Sequence, residues 1–518
     1  MGIIRSHKAL LISFCIFTII TRGILAFRPE VLLSQRPYND DAFYALTVGY
    51  HLGNGNGFSI DGVHPTNGVQ PLIVVLYGAA FSLVGEDKLL GLQLTMMIPA
   101  ITDCICLLAI YFLLRRMIKS KDDTSLRHVP ILGSALWTFL LGNIIINGNG
   151  LEPGLLAACI LLCLLLYSII LEKRRTDTSS HTLLWTLLGI LLGLTVLARI
   201  DAVFFVFAII CAELFFNKDT LLRERIKVVI ILAITSFVIS LPWWTYNYTT
   251  FGSMMPISGQ SESIDDHFAL NLFMTPTVLG DLCLVIMYIP DALLNNMVRP
   301  IVGLSIIGTI IVIGKYLQWK NYLQKNYHTE ALILLAIYAI PLIVYYTFFF
   351  SASHFIARYY HPIRVLSVIS AAMLLPNIID SYRRSKAIRG AAIVYLSVGI
   401  IFNLWHYMMN FYTTASSPAY HVSQWAQLHP EYRIGMTSSG TAGFFADNVV
   451  NLDGKVNFEA LKARRNNELG KYCIQDNINL IADWKENAQL IIKQAEQTGA
   501  QFEQIGSIGP IELHKRIR

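Results

Sequence analysis

Charge is scarce in this chain: 14% of its 518 residues are Asp, Glu, Lys or Arg, against 54% hydrophobic. Soluble domains carry roughly a quarter charged residues, so the scarcity excludes an ordinary soluble enzyme and indicates a polytopic membrane protein. The formal net charge of +6 is small, and no nucleic-acid partner is expected. Among 8 cysteines, Cys15, Cys104, Cys106, Cys159, Cys163 and Cys211 lie in apolar runs, and only Cys473 lies in the polar C-terminal part. Thiols placed this way act as small hydrophobes and supply no disulfide framework. H-E-x-x-H, paired C-x-x-C and G-x-S-x-G are all missing, so no motif supports a zinc or serine hydrolase. Internal repeats, low-complexity tracts and long linkers are missing too. The basic, apolar N-terminus has no A-x-A-like cleavage site, so it reads as an uncleaved first span.

What the chain does have is apolar runs long enough to cross ~30 Å of hydrocarbon. They fall near 8–27, 88–114, 129–146, 151–171, 182–199, 201–216, 227–245, 299–314, 331–350, 362–380 and 390–410, about eleven spans by hydropathy. Two shorter pieces, 71–84 and 279–290, are ambiguous. With both treated as interfacial or re-entrant, the basic clusters at 115–121, 173–175, 218–227, 315–325 and 383–389 all share the side of Arg5 and Lys8. That satisfies the positive-inside pattern without exception. The opposite side receives 28–87, 147–154, the Arg199–Asp201 corner, the Lys- and Arg-free loop 246–298, 351–362 and the tail from 411. Nearly every unusual polar motif therefore faces the non-cytoplasmic side of a cytoplasmic (inner) membrane. The tail reads as a small extracytoplasmic α/β domain over 411–518, following a membrane domain over 1–410. "YRIGM" and "VVNLDG" predict strands, "EALKARRNNELGKY" and "ADWKENAQLIIKQAEQ" amphipathic helices, and "FEQIGSIGPIELHKR" a terminal hairpin.

The polar motifs each admit a plain reading. Asp40 and Asp41 open a helical pattern and suit an N-cap and its dipole, or a carboxylate aimed into a cavity. "GNGNGF" follows a helix rather than a strand, so glycine capping explains it better than phosphate binding. Pro71 suits a first helical position, with Asn67 and Gln70 free to cap it or to bind sugar hydroxyls. Glu152 is the one charge in the tight turn 147–154. Arg199 and Asp201 interrupt apolar runs at a spacing that allows a mutual salt bridge, and ionisable groups so placed are usually paired and functional. Arg358, followed by Tyr359, Tyr360 and His361, suits either interfacial anchoring or an anion such as phosphate. "SSGTAGFF" is a weak glycine-rich match without nucleotide-loop spacing.

Together, "DDAFY", "GFSIDG" and "TNGVQPL" before a short apolar helix resemble the GT-C superfamily of polytopic glycosyltransferases. The likeness is nearest to bacterial families related to protein O-mannosyltransferases and aminoarabinose transferases. "NGLEPGL", "LTVLARIDA", "PWWTYNYTTFGSMMPISG", "RYYHP" and "VVNLDGKVN" extend the resemblance over most of the chain. It implies a GT-C-like fold with interfacial helices in the first outer loop. It also implies that Asp40 is the base, with Asp41 beside it and Glu152 as a further catalytic candidate. Arg358 is the first choice for the donor phosphate, then Arg199 and His361. His64, Asn67, Gln70 and Tyr359 are candidates for sugar or acceptor hydroxyls. No Lys stands in 58–72 to complete the phosphate site.

The implied reaction takes a sugar from a polyprenyl-phosphate donor to a hydroxyl on a glycan, lipid or protein acceptor, with inversion. No cofactor is required, although a divalent cation (Mg or Mn) near Asp41 or Glu152 is allowed. The alternative is a transporter or flippase of a glycolipid or small solute, which the one-sided polar groups and missing repeats disfavour.

Overall fold

A computed structural model of the chain describes residues 2–34, 36–119, 124–176, 181–216, 220–264, 267–284, 298–350, 356–412 and 417–518. Among these, 7 helices are long and apolar enough to cross a membrane: His7–Ala26, Lys88–Met117, Pro153–Thr176, Leu222–Phe251, Val298–Tyr316, Glu330–Phe348 and Ile363–Arg383. The other four expected spans fall on helices that are short, broken or apolar over part of their length. These are Val129–Phe139 with Leu141–Asn147, Thr182–Ala198, Val203–Cys211, and Lys386–Tyr412. Leu140 interrupts the first with an extended ψ of 109°. Asn143 Nδ2 donates to the Trp137 carbonyl at 3.2 Å across the break, so a backbone acceptor within the bundle stays satisfied.

Small residues and paired charges hold the bundle together. A Cβ on Gly189 would lie 2.7 Å from Thr235 Cβ, and one on Gly193 would lie 2.6 Å from Ile239 Cβ. The absence of those methyls lets Thr182–Ala198 pack closely on Leu222–Phe251. Arg22 of the first span pairs with Asp103, which also accepts from Trp137 Nε1 at 3.3 Å and Asn147 Nδ2 at 2.6 Å. A buried ion tied into such a network is stable within hydrocarbon, where an unpaired one would be costly.

In the loop over 28–87, the helices Asp40–Gly53 and Pro71–Ser82 pack on each other. Gly49 lies so close to Tyr77 that a Cβ would approach Tyr77 Cβ to 2.5 Å. Pro71 takes the first helical position, as the sequence predicts. Beyond Gly53 the chain turns through left-handed Gly55 and Gly57, at φ of 87° and 70°. In the second ambiguous stretch Thr275–Cys283 is helical, while 285–290 lies outside the described residues.

Residues 417–518 form a small sheet domain. Its strands are β1 (Ile434–Met436), β2 (Val449–Asn451), β3 (Leu480–Trp484), β4 (Phe502–Ile508) and β5 (Ile511–Arg516), in the order β2-β1-β3-β5-β4. β1 runs parallel to β2 and β3, and β5 is antiparallel to β3 and β4. The predicted strands and terminal hairpin are present. Two helical predictions need correction. "ADW" belongs to β3, whose first four residues are buried; a continuous apolar run suits a central strand covered on both faces. The helix expected over "EALKARRNNELGKY" divides into Phe458–Arg465 and Leu469–Gln475, with Asn467 left-handed at φ 57° between them.

This domain docks on the first outer loop. Tyr44 Oη donates to Asp453 Oδ2 at 3.0 Å, and Lys88 Nζ donates to the Phe444 carbonyl at 2.9 Å and to Asp447 at 2.8 Å. Phe43 packs against Phe444 with ring centroids 5.4 Å apart. Gly68 forms the seat itself, because a Cβ there would fall 1.8 Å from the Lys455 carbonyl oxygen. Gly68→Ala should therefore destabilise the docked domain by about 1–3 kcal/mol, as overpacking does. Gly23→Ala, where a Cβ meets nothing within 4 Å, should not. Thermal unfolding in detergent and the rate of proteolysis between 412 and 417 measure the contrast.

Candidate active site

The acidic pair at the start of Asp40–Gly53 is split between two tasks. Asn39 caps this helix, its side chain accepting from Ala42 N at 3.2 Å, so Asp40 is not the cap. Successive helical residues point about 100° apart. Asp40 turns to the sheet domain and accepts from Gly440 N at 3.2 Å and Thr441 N at 2.8 Å. These are the first residues of the helix Gly440–Phe445, within "SSGTAGFF". A Cβ on Gly440 would lie 2.0 Å from the Asp40 carbonyl oxygen, so glycine makes this approach possible. Burial pushes the Asp40 carboxyl above its ordinary range, and the Thr441 N–H partly offsets that.

Asp41 turns the other way, into a cavity of about 560 Å³. Its Oδ2 accepts from Arg358 Nη1 at 3.2 Å and its Oδ1 from Lys455 Nζ at 3.4 Å. These partners lie 317 and 414 residues away in sequence. Burial alone would raise the Asp41 carboxyl, but the Lys455 ammonium and Arg358 guanidinium outweigh it and hold it below the ordinary range. Lys455 also meets Glu262 at 3.0 Å.

A second charged group closes the far wall. Arg199 pairs with Asp201, donates to Tyr346 Oη at 3.1 Å and to the Arg358 carbonyl at 3.3 Å, and approaches Glu152 Oε1 at 3.8 Å. The Arg199–Asp201 salt bridge that the spacing allows is thus formed, and both residues line the cavity. Arg199 lies 4.8 Å over the Tyr359 ring, which stacks on Tyr346 at 4.4 Å. Ile200, Val203, Phe204, Tyr345, Phe349 and Phe350 make the remaining wall apolar. Val203 and Phe349 are 43% and 59% exposed, so the apolar wall continues to the outer surface of the bundle. Glu152 at one end of Pro153–Thr176 and Arg174 and Arg175 at the other lie about 35 Å apart at 1.5 Å per residue. The cavity and the basic ends of the spans are therefore at opposite ends of the bundle.

Asp41, Glu152, Arg199, Arg358, Tyr359 and Gln70 of the expected site line this cavity. Four candidates do not. Asp40 is occupied by the sheet domain. His64 bonds Asp61 at 2.6 Å with 63% of its side chain exposed. Asn67 is fully buried, donating to Asn247 Oδ1 at 3.0 Å and accepting from Ile257 N at 3.0 Å, and it ties the loop to the helices around it. His361 is buried beside Trp137, with ring centroids 6.3 Å apart. Neither Asn67 nor Gln70 caps Pro71–Ser82 through its side chain. The residues that motif reading missed are Lys455, Glu262 and Tyr346. The one available signal was "VVNLDGKVN", whose Lys455 pairs with Asp41.

The divalent cation allowed near Asp41 or Glu152 does not fit these surroundings. Each carboxylate already faces a cationic side chain, and no cluster of three or more His, Cys, Asp or Glu stands together among the described residues.

No protein-family model and no curated protein matches the chain. Solved structures do. ArnT from Cupriavidus metallidurans bound to undecaprenyl phosphate superposes with a TM-score of 0.59 at 12% identity, covering 96% of this chain and 97% of that one. The Archaeoglobus fulgidus oligosaccharyltransferase tethered with an acceptor peptide containing the NVT sequon gives 0.55 at 15% identity, covering 95% and 71%. The same oligosaccharyltransferase in complex with Zn and sulfate gives 0.54 at 13% identity, covering 92% and 67%. The chain therefore shares the overall fold of these structures, and with 7 described helices long and apolar enough to cross a membrane it is a multi-pass membrane protein.

Replacing Asp40 with Ala would leave the Gly440 and Thr441 N–H groups unpaired at a buried contact, at about 1–3 kcal/mol for such a loss. The expected result is a lower unfolding midpoint and faster cleavage between 412 and 417.

Proposed function

We propose that the chain transfers a sugar from a polyprenyl-phosphate donor to an acceptor hydroxyl on a glycan, lipid or protein, at the outer face of the cytoplasmic membrane. The observation that carries this reading is the Asp41 carboxylate held between Arg358 and Lys455 in a cavity with one apolar wall. A fixed cationic pair beside an apolar groove suits a lipid phosphate, whose chain gains about 0.8 kcal/mol for each buried methylene. ArnT bound to undecaprenyl phosphate supports the same ligand class by likeness of fold.

In this reading the membrane part, 1–410, holds the donor, and 411–518 is an outer domain that closes the site. Asp41 takes the acceptor proton, a role the motif resemblance gave to Asp40. The acceptor oxygen then bonds to the anomeric carbon as the carbon–oxygen bond to phosphate breaks. The electron pair goes to the phosphate oxygen, which leaves as a dianion on Arg358. A phosphate monoester has its second pKa near ~6, so departure needs no general acid. One displacement inverts the anomeric centre. Glu152 and Arg199, with Asp201 and Tyr346, stiffen the wall on which Tyr359 stacks and leave Tyr359 and Gln70 to face the sugar.

Asp41→Asn should lower turnover with polyprenyl-phosphate sugars by about 10²–10⁴, the usual worth of a general base, without loss of expression. Full activity of this variant, or retention at the anomeric carbon by NMR of the product, would eliminate the mechanism.

A further inference from the structure

We propose that Lys455, supplied by the sheet domain, is a ligand of the donor phosphate, and that its passage with Arg358 from Asp41 to that phosphate frees Asp41 to act as base. This deepens, and rests on, the glycosyl-transfer reading.

The geometry makes Asp41 a masked base. Each of its two oxygens faces a cation, Arg358 on Oδ2 at 3.2 Å and Lys455 on Oδ1 at 3.4 Å. A carboxylate with both oxygens engaged by full positive charges accepts a proton poorly. Lys455 is held through its backbone. Its carbonyl sits against Gly68 and its N–H donates to Asp453 Oδ1 at 2.8 Å. Its side chain reaches both Asp41, at 3.4 Å, and Glu262, at 3.0 Å. Lysine suits such an exchange, because its ammonium is a point charge on a flexible stem with no fixed donor plane.

The charges balance through the reaction. Arg358 and Lys455 offset Asp41 and Glu262 in the resting cluster. A phosphodiester donor adds one negative charge. During transfer the acceptor proton neutralises Asp41, while the breaking carbon–oxygen bond leaves a second negative charge on phosphate. Negative charge thus departs from one partner of the two cations and arrives on the other, with the total unchanged. Preorganised cations that face both positions stabilise this movement without large reorganisation. The groups facing Asp41 are Asp40 and Tyr44 from its own helix, Arg358 from Ile356–Tyr360, and Lys455 from the sheet domain, with Asp453 beside Tyr44 and Lys455. Glu262 acts through Lys455.

The test is equilibrium binding of undecaprenyl phosphate to the full chain in nanodiscs, paired with the pH profile of kcat/KM for the donor. Lys455→Met should weaken binding about tenfold or more, as loss of a charge-assisted contact does, and Lys455→Arg should restore most of it. Asp41→Asn should tighten binding about tenfold, because the competing anion is gone. In Lys455→Met the acid limb should move to higher pH by about one unit, since a cation that holds the Asp41 carboxyl down has been removed. A lysine that only pins the domain would lower the amount of folded protein without moving that limb or tightening Asp41→Asn. Should Lys455→Met fail to fold, Glu262→Gln keeps the test open, and its release of Lys455 should tighten lipid binding several-fold. Unchanged binding in Lys455→Met, or no tightening in Asp41→Asn, overturns this inference and leaves the transfer reading standing. A wild-type chain that neither binds undecaprenyl phosphate nor turns over any polyprenyl-phosphate sugar overturns the transfer reading itself.

Discussion

A carboxylate buried at the rim of a membrane bundle must be matched by fixed positive charge, and at Asp41 that constraint gathers the whole chain. Arg358 arrives from just before a late span and Lys455 from the sheet beyond the last helix. Neither cation has a local reason to be where it is. What brings them together is packing: the helix Asp40–Gly53 buried against Pro71–Ser82 on one side and against Gly440–Phe445 on the other. If that layer shifts, the ion pairs separate and the cavity loses its polar floor.

Two adjacent aspartates show how little linear order says about role. One residue's difference along a helix turns a side chain through about 100°, which separates a carboxylate that binds a domain from one that faces a cavity. Asp40 satisfies two N–H groups at the start of a helix that belongs to another domain, where the local dipole also favours an anion. Asp41 meets side-chain cations instead. The first contact is structural glue and the second is electrostatic, although both residues read alike in "NDDAF".

Most of the spans, the short helix that begins at Pro71 and the strands of the tail were legible because they depend on periodicity and length, which are local properties. The one-sided gathering of Asp41, Glu152, Arg199 and Arg358 was legible through the positive-inside pattern, since a topology fixes which loops share a face. The rest depended on contacts that no local pattern encodes. His64 and Asn67 sit three residues apart in the same loop. One faces water beside Asp61, and the other is buried against Asn247 and the start of Ile257–Glu262. His361 follows Arg358 and Tyr359 but falls on the inner side of its turn, next to Trp137. The strand role of "LIAD" was hidden because a short apolar run looks the same in a buried helix and a central strand.

The distance of 414 residues between Asp41 and Lys455 has a consequence for biosynthesis. A nascent chain carries Asp41 and Arg358 before the stretch that holds Lys455 has been translated. The second cation arrives only after the final segment has been made, folded around its sheet and settled on Gly68. Until then Asp41 faces one cation instead of two, and the cavity lacks the wall that carries Lys455. A half-made or truncated polypeptide would lie in the bilayer with most of its helices in place and its polar floor unfinished.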